Sequence, residues 1–382
     1  MTFGRDAPSM TPAESLARLG LARTEGIGPQ NFRRLLAQHG GAAAALRALA
    51  ADPARRFAPP SPGAVEREHD AVLEIGGAWL HLGTPPYPPL LAQLEDAPPV
   101  LAALGNLALL PTRQVALVGA RNASAAGRRI AEDMAEALAE AGVTVTSGLA
   151  RGIDAAAHEG ALRYGRTIAA VAGGLDIAYP PENRDLQDRI AEGGLLLAEA
   201  PLGTAPLARH FPRRNRIVAG LSLGVVVVEA APRSGTLITA RMGSEAGREI
   251  YAVPGSPLDP RCRGSNDLLR HGAHFCETAA DILETLPATA EAVPVFTPPR
   301  DREAPRAPSR ARAPREDGAP SDLLSLIGQT PVTVDEVLRR CHLTASTARA
   351  ALLELELEGL IEALPGNRVV RSGIQRADEP EA

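Results

Sequence analysis

The residues with chemical potential lie in short loops. They are Gly119-Ala120-Arg121-Asn122-Ala123-Ser124, Ser147-Gly148-Leu149-Ala150-Arg151-Gly152-Ile153-Asp154, Gly173-Gly174-Leu175-Asp176, Arg233-Ser234-Gly235-Thr236-Leu237-Ile238-Thr239-Ala240 and Pro254-Gly255-Ser256. Each closely follows an apolar run. Glycine lets a backbone approach a ligand closely. Backbone N–H groups at a helix start attract anions, and serine, threonine and arginine add donors and charge. Several such loops at one end of a sheet would form a phosphate cradle. A dinucleotide cofactor does not fit, because Arg121 stands where G-x-G-x-x-G needs its second glycine. The second apolar run ends Thr144-Val145-Thr146-Ser147, with no acid for a ribose hydroxyl. The chain has no lysine at all, which excludes a P-loop.

A basic run, Arg209-His210-Phe211-Pro212-Arg213-Arg214-Asn215-Arg216, carries four arginines, an aromatic ring and no acid. Alone it reads as a solvated helix start. Beside the glycine loops it suits a nucleic-acid strand, with phosphates to neutralise and bases to stack. Asp154, Asp176, Glu199 and Glu229 follow or end apolar runs and are candidates for acid chemistry. The structural reading is preferred: Asp154 caps or pairs with Arg151, and the glutamates orient arginines. There is no G-x-S-x-G signature, and neither His158 nor His210 has an evident nucleophile partner. No catalytic residue is assigned.

The elements that must position these loops are strands at Val115–Gly119, Val143–Ser147, Thr167–Ala172, Leu195–Glu199, Gly224–Glu229 and Glu249–Val253. Helical patterns such as Arg128–Ala141 and Ala155–Tyr164 separate them. Short continuous apolar strands alternating with helices predict an α/β domain with a doubly wound parallel sheet. In such sheets ligands sit beyond the carboxyl ends of the strands. The 382 residues imply several domains. The expected division is a helical domain at 11–80, the sheet domain at 81–286, a Pro/Arg-rich linker at 287–320 and a small domain at 321–372. Within 58–111, prolines are frequent and periodicity is weak. The last domain reads as helices Asp322–Ile327, Val334–Cys341 and Ser346–Gly359, then a hairpin of Ile361–Ala363 and Arg368–Arg371. That pattern is a winged helix.

The net charge of −5 excludes a uniform polycation, so any nucleic-acid site is a local patch. The three cysteines, Cys262, Cys276 and Cys341, show no metal spacing, which predicts reduced thiols and no metal or cofactor. No signal peptide or membrane-spanning run is read, so a cytoplasmic protein is expected.

The central segment resembles the DNA-processing protein A family (DprA/Smf). The resemblance is carried by Tyr87-Pro88 with Asp96-Ala97-Pro98-Pro99, Val118-Gly119-Ala120-Arg121, the Ser147–Asp154 loop, Phe211–Ile217, Ser234–Ala240 and Val253-Pro254-Gly255. It covers about residues 80–286. It implies an extended Rossmann-like domain that binds single-stranded DNA, dimerises, and loads a RecA-type recombinase in natural transformation, without enzymatic activity. It implies a DNA groove of Gly119, Arg121, Ser147, Gly148, Arg151, Gly152, Phe211, Arg213, Arg214, Asn215, Arg216, Ser234, Gly235, Thr236 and Thr239. Several relatives use lysines there, and this chain has arginines only. The rival from another class is a nucleoside-monophosphate phosphoribohydrolase, whose P-G-G-x-G-T-x-x-E loop ends in a catalytic Glu. Thr239 occupies that place here. Glu25-Gly26-Ile27-Gly28-Pro29, before the helix Gln30–Gln38, resembles a SAM-like or helix-hairpin-helix turn. It is either an ordinary tight turn or a phosphate contact. The winged helix carries Glu354, Glu356 and Glu358 on its third helix, which favours a protein contact over groove reading.

Overall fold

The computed structural model describes residues 10–51, 57–287, 326–328, 332–340, 352, 355, 361–364 and 368–371. The chain divides into two compact units, Met1–Arg302 and Glu303–Ala382.

The first unit begins with α1 (Pro12–Ala22), α2 (Pro29–His39), α3 (Ala42–Ala51) and α4 (Pro62–Glu74). Proline stands in the first turn of α1, α2 and α4, where its missing N–H costs nothing. Gly40 ends α2 at φ +74, the left-handed conformation that glycine adopts without strain. Leu21, Phe32, Leu35 and Ala45 form the small core of this part.

There follow β1 (Ala78–His81), α5 (Pro89–Ala92), β2 (Val100–Gly105), β3 (Gln114–Val118), α6 (Ala125–Glu140), β4 (Thr144–Ser147), α7 (Ile153–Leu162) and β5 (Thr167–Val171). Then come α8 (Arg184–Gly193), β6 (Leu195–Ala198), α9 (His210–Leu221), β7 (Gly224–Val227), α10 (Gly235–Glu245), β8 (Glu249–Ala252), α11 (Arg263–Arg270), β9 (His274–Phe275) and α12 (Ala279–Thr285). One nine-stranded sheet runs β1-β2-β6-β5-β4-β3-β7-β8-β9. All neighbours are parallel except β1 with β2 and β2 with β6.

Alternation along the strands sorts the core into two layers. Ala116, Leu197, Val225, Val227 and Ile250 face α9 and α10 on one side. Val115, Leu117, Val226 and Tyr251 face α6, α7 and α12 on the other. The expected doubly wound sheet is therefore present, with each of the six predicted strands within two residues of its place. The weakly periodic stretch 58–111 contains α4, β1 and β2, which the sequence pattern did not reveal. β2 is Val-Leu-Ala-Ala-Leu-Gly, poor in β-branched residues and buried over its first four positions, so it carries no alternation. β1 belongs to the sheet, not to the helical part.

In the second unit, β10 (Val332–Thr333), α13 (Val334–Arg340), β11 (Ile361–Leu364) and β12 (Arg368–Arg371) make a three-stranded sheet and a helix. Ile327, Val337, Leu352, Leu355, Ile361 and Val369 are buried together. The hairpin falls where the sequence placed it. Most of the expected helices at 322–327 and 346–359, Cys341, and nearly all of the linker lie outside the described residues; 326 and 327 are not helical, whereas 352 and 355 are.

Two buried histidines couple this fold to pH. His158 is fully buried, and its Nδ1 lies 2.7 Å from the Thr167 hydroxyl. Burial, helped by the nearby Arg214 charge, pushes its pKa down to about 3, from an ordinary 6.5. Burial and the Arg18 charge push His81 down to about 4. For a base with a depressed folded pKa, the stability present above 6.5 is lost as pH falls toward the folded value. At about pH 5 each group removes about 2 kcal/mol. Urea unfolding across this range should show that loss, and His158→Gln should remove about half of it.

Candidate functional site

β3 and β7 run side by side, with Val118 opposite Val227, and their chains then part to opposite faces of the sheet. β3 leads to α6 and β7 to α10. Such a parting opens a crevice at the carboxyl edge. Here the crevice has a volume of about 830 Å³. Its walls are the Gly119–Asn122 loop, the Gly148–Ala150 turn, one side of α9, and the start of α10.

The loops are held by their own polar groups. Ser124 caps α6 by accepting from Gly127 N–H at 2.8 Å. Glu229 accepts from Ser124 N–H and from its hydroxyl, at 3.0 and 2.5 Å. Glu229 thus holds the α6 cap, and among the described residues it hydrogen-bonds no arginine, contrary to expectation. The Thr236 hydroxyl donates to the Gly119 carbonyl at 3.0 Å, tying α10 to the β3 loop. Gly152 sits at φ +78, where a Cβ would strike the backbone carbonyls of Ala120 and Arg121. A Cβ on Gly119 would meet Ile153 at 2.5 Å. Both glycines serve close approach between the two loops.

α9 carries the basic run, and helical periodicity splits it. Phe211, Arg214, Asn215 and Val218 form a stripe that faces the crevice. His210, Arg213, Arg216 and Ile217 line a separate cavity of about 620 Å³, together with the Ala22–Pro29 turn of the helical part.

Arg214 is 5% exposed. A Cβ on Gly148 would overlap its guanidinium, so glycine is what leaves room for it. Asp154 is buried beside it, with Oδ2 at 3.9 Å from Arg214 Nη1 and accepting from Ala150 N–H at 3.4 Å. Burial raises the Asp154 pKa, and the Arg214 charge opposes that rise. The expected Asp154–Arg151 pair does not form. Arg151 is exposed and, among the described residues, pairs only with Glu182, at 3.8 Å. Arg214 Nε is buried with no hydrogen-bond partner.

Phe211 stands over this pair. The Arg121 guanidinium lies 4.9 Å from its ring centroid and that of Arg214 5.9 Å. Arg121 is exposed and has no ion pair among the described residues. Tyr179, absent from the sequence-based expectations, adds a half-exposed ring 5.7 Å from Phe211. Its only sequence signal was an aromatic soon after the Gly173-Gly174 loop. Ser234 caps the start of α10 without a side-chain hydrogen bond, and its hydroxyl is buried and unpartnered. A Cβ on Gly235 would meet nothing within 4 Å, so that backbone is open.

Besides Gly152, three expected groove residues lie elsewhere. Ser147 is fully buried in β4 and donates to the Leu117 carbonyl at 2.6 Å. Its hydroxyl is thus spent on the carbonyl of the neighbouring strand β3. Arg216 grips both Glu199 oxygens at 2.7 Å and donates to the Asp96 carbonyl, clamping β6 to the segment before β2. Arg213 is exposed, on the far side of α9. Thr239 lines the crevice but is 3% exposed, its hydroxyl turned to the Gly235 carbonyl at 3.5 Å. Among the described residues, no group of His, Cys, Asp or Glu is placed to hold a metal ion, and no helix is long and apolar enough to cross a membrane.

Residues 79–287 match the family profile described as DNA recombination-mediator protein A. The chain belongs to the DNA processing protein A family. Two further profiles of the family match its flanks, an N-terminal HHH domain at 12–71 and a winged helix domain at 304–367. Protein Smf of Synechocystis is 37% identical over 315 residues, covering 75% of this chain and 78% of that one. The X-ray structure of DNA processing protein A from Streptococcus pneumoniae superimposes with a TM-score of 0.63 at 32% identity, over 74% of this chain and all of the other. DNA processing protein A from Helicobacter pylori, described for its single-stranded DNA binding mode, gives 0.51 at 30% identity over 55% and 95%. Membership in the DNA processing protein A family agrees with the motifs quoted above, and the fold is the one they implied.

The clamp and the buried pair make separate stability predictions. Arg216→Ala should cost about 2–4 kcal/mol, because it strands Glu199 and the Asp96 carbonyl. Gly148→Ala should cost about 1–3 kcal/mol by displacing Arg214. Urea denaturation of the two variants reads both values.

Proposed function

We propose that this chain binds single-stranded DNA in the crevice and performs no reaction on it. The observation that carries the reading is the Arg121–Phe211–Arg214 stack at the mouth of the crevice. An aromatic face beside an exposed guanidinium suits a base and the adjoining phosphate. Gly235 offers open backbone at the start of α10 to a second phosphate. Of the expected residues, Gly119, Arg121, Gly148, Phe211, Arg214, Asn215, Ser234, Gly235, Thr236 and Thr239 line this crevice. Arg151 extends it beside Tyr179. Gly152, Ser147 and Arg216 act through the scaffold.

The family supports a wider role. The chain acts as a cytoplasmic homodimer, protects incoming DNA, and loads a RecA-type recombinase during natural transformation. The phosphoribohydrolase alternative needs a carboxylate at position 239, and Thr239 supplies none. Asp154, the carboxylate that lines the crevice, is paired with Arg214, and Glu229 and Glu199 are bound to Ser124 and Arg216.

The reading separates charge from stacking. In mobility-shift titrations, Arg121→Ala should weaken oligo-dT binding about tenfold and lower the salt slope by about 0.7. Phe211→Ala should weaken it by about 1–3 kcal/mol with the slope unchanged. Equal affinity for duplex and single strand, or release of free base from nucleoside monophosphates, would overturn the proposal.

A further inference from the structure

The basic surface continues past the crevice. Between the turn before α10 and the face of α11 lies a groove of about 440 Å³. One turn feeds both spaces. Ala231 and Ser234 line the crevice, while Pro232 and Arg233 line the groove. On α11, Arg263, Asn266, Asp267 and Arg270 form a single helical stripe toward it. The floor is pinned, because Asn266 accepts from Gly255 N–H at 3.0 Å and donates to the Gly255 carbonyl at 2.8 Å.

The groove's charge is positive. Its one carboxylate, Asp267, is already engaged by Arg270 at 3.9 Å and by His271 at 3.5 Å. Arg233 and Arg263 are exposed, and neither has an ion pair among the described residues. This stands out in a chain whose net charge is −5. Arg233 is also held at φ +64, in the left-handed region, which costs a non-glycine residue about 1–2 kcal/mol. The strained turn projects that side chain at the junction of the two spaces. Strain of this kind clusters where a ligand is held.

We propose that this groove is a second phosphate-binding subsite for the same polynucleotide. The strand leaving the crevice at Ser234 lays its phosphodiester backbone on Arg233, Arg263 and Arg270. The sheet order supports the path. The loops after β5, β4, β3, β7 and β8 lie in a row, about 4.8 Å apart, so a trough along the carboxyl edge reaches α11 directly. A positively charged groove that tracks the backbone is how single strands are held without sequence preference. The inference rests on the single-stranded DNA reading and extends it.

Two oligo-dT lengths test it on the full chain, one of about 6 nucleotides that fills the crevice and one of about 16 that overruns it. Arg233→Gly relieves the strained backbone while removing the charge. Arg263→Gln with Arg270→Gln keeps the helix. Each variant should bind the short oligomer within about twofold of the wild type. Each should bind the long one about tenfold more weakly, with a salt slope shallower by about 0.7 for each arginine replaced. Unchanged affinity and slope for the long oligomer, or equal losses at both lengths, would overturn the groove. If the wild-type chain binds neither length, the single-stranded DNA reading fails, and the groove with it.

Discussion

Arg214 carries a full positive charge into a place where 5% of its surface meets water. An isolated ion there would cost several kcal/mol, and arginine does not shed its proton to avoid that cost. Asp154 supplies the opposing charge, and Gly148 supplies the space. The crevice follows from this arrangement. Phe211 rests over the buried pair, and Arg121 comes over Phe211. The stack is in place without a ligand, and Phe211 and the buried Arg214 give Arg121 a fixed platform. A cation over an aromatic ring contributes about 0.5–2 kcal/mol, more as the site is desolvated.

Burial separates the arginines of α9 into two kinds. Arg216 and Arg214 are buried, and each is satisfied or balanced within the fold. Arg213 and Arg209 are exposed. The four look equivalent along the chain, yet two hold the protein together and two meet solvent. A helix turns 100° per residue, so neighbours in a dense basic run cannot share a face. The same geometry gives α9 two working sides, one on the crevice and one on the cavity beside the helical part.

The helical part is joined to the sheet by arginines as well. Arg33 donates to the Ala92 and Leu94 carbonyls at 3.0 and 2.6 Å, and Arg18 to the Leu82 carbonyl at 2.9 Å. Arg23 bridges Glu68 and the Glu199 carbonyl. Glu199 therefore meets two arginines, one through its carboxylate and one through its backbone. A planar fork holds several donors in fixed directions, which suits such mixed partners better than the three rotatable donors of a lysine ammonium. The absence of lysine from the chain is consistent with this use.

Apolar runs and glycine loops determined a doubly wound sheet and the edge at which its ligand site must lie, because strand burial on both faces leaves an unbroken apolar signature. Arg121 and Ser234 were legible because their loops follow strands, and Phe211 because it is the one aromatic in a dense basic run. The sequence did not disclose β1 and β2, since an alanine-rich strand and a short edge strand have no period to read. Nor could it separate Arg214 from Arg216, send Ser147 into the sheet, or pair Asp154 with an arginine 60 residues away rather than with Arg151. Those choices depend on which groups lose water together. Only the folded chain brings Gly148, Asp154 and Arg214 to one dry point, and only there does a guanidinium become part of the scaffold.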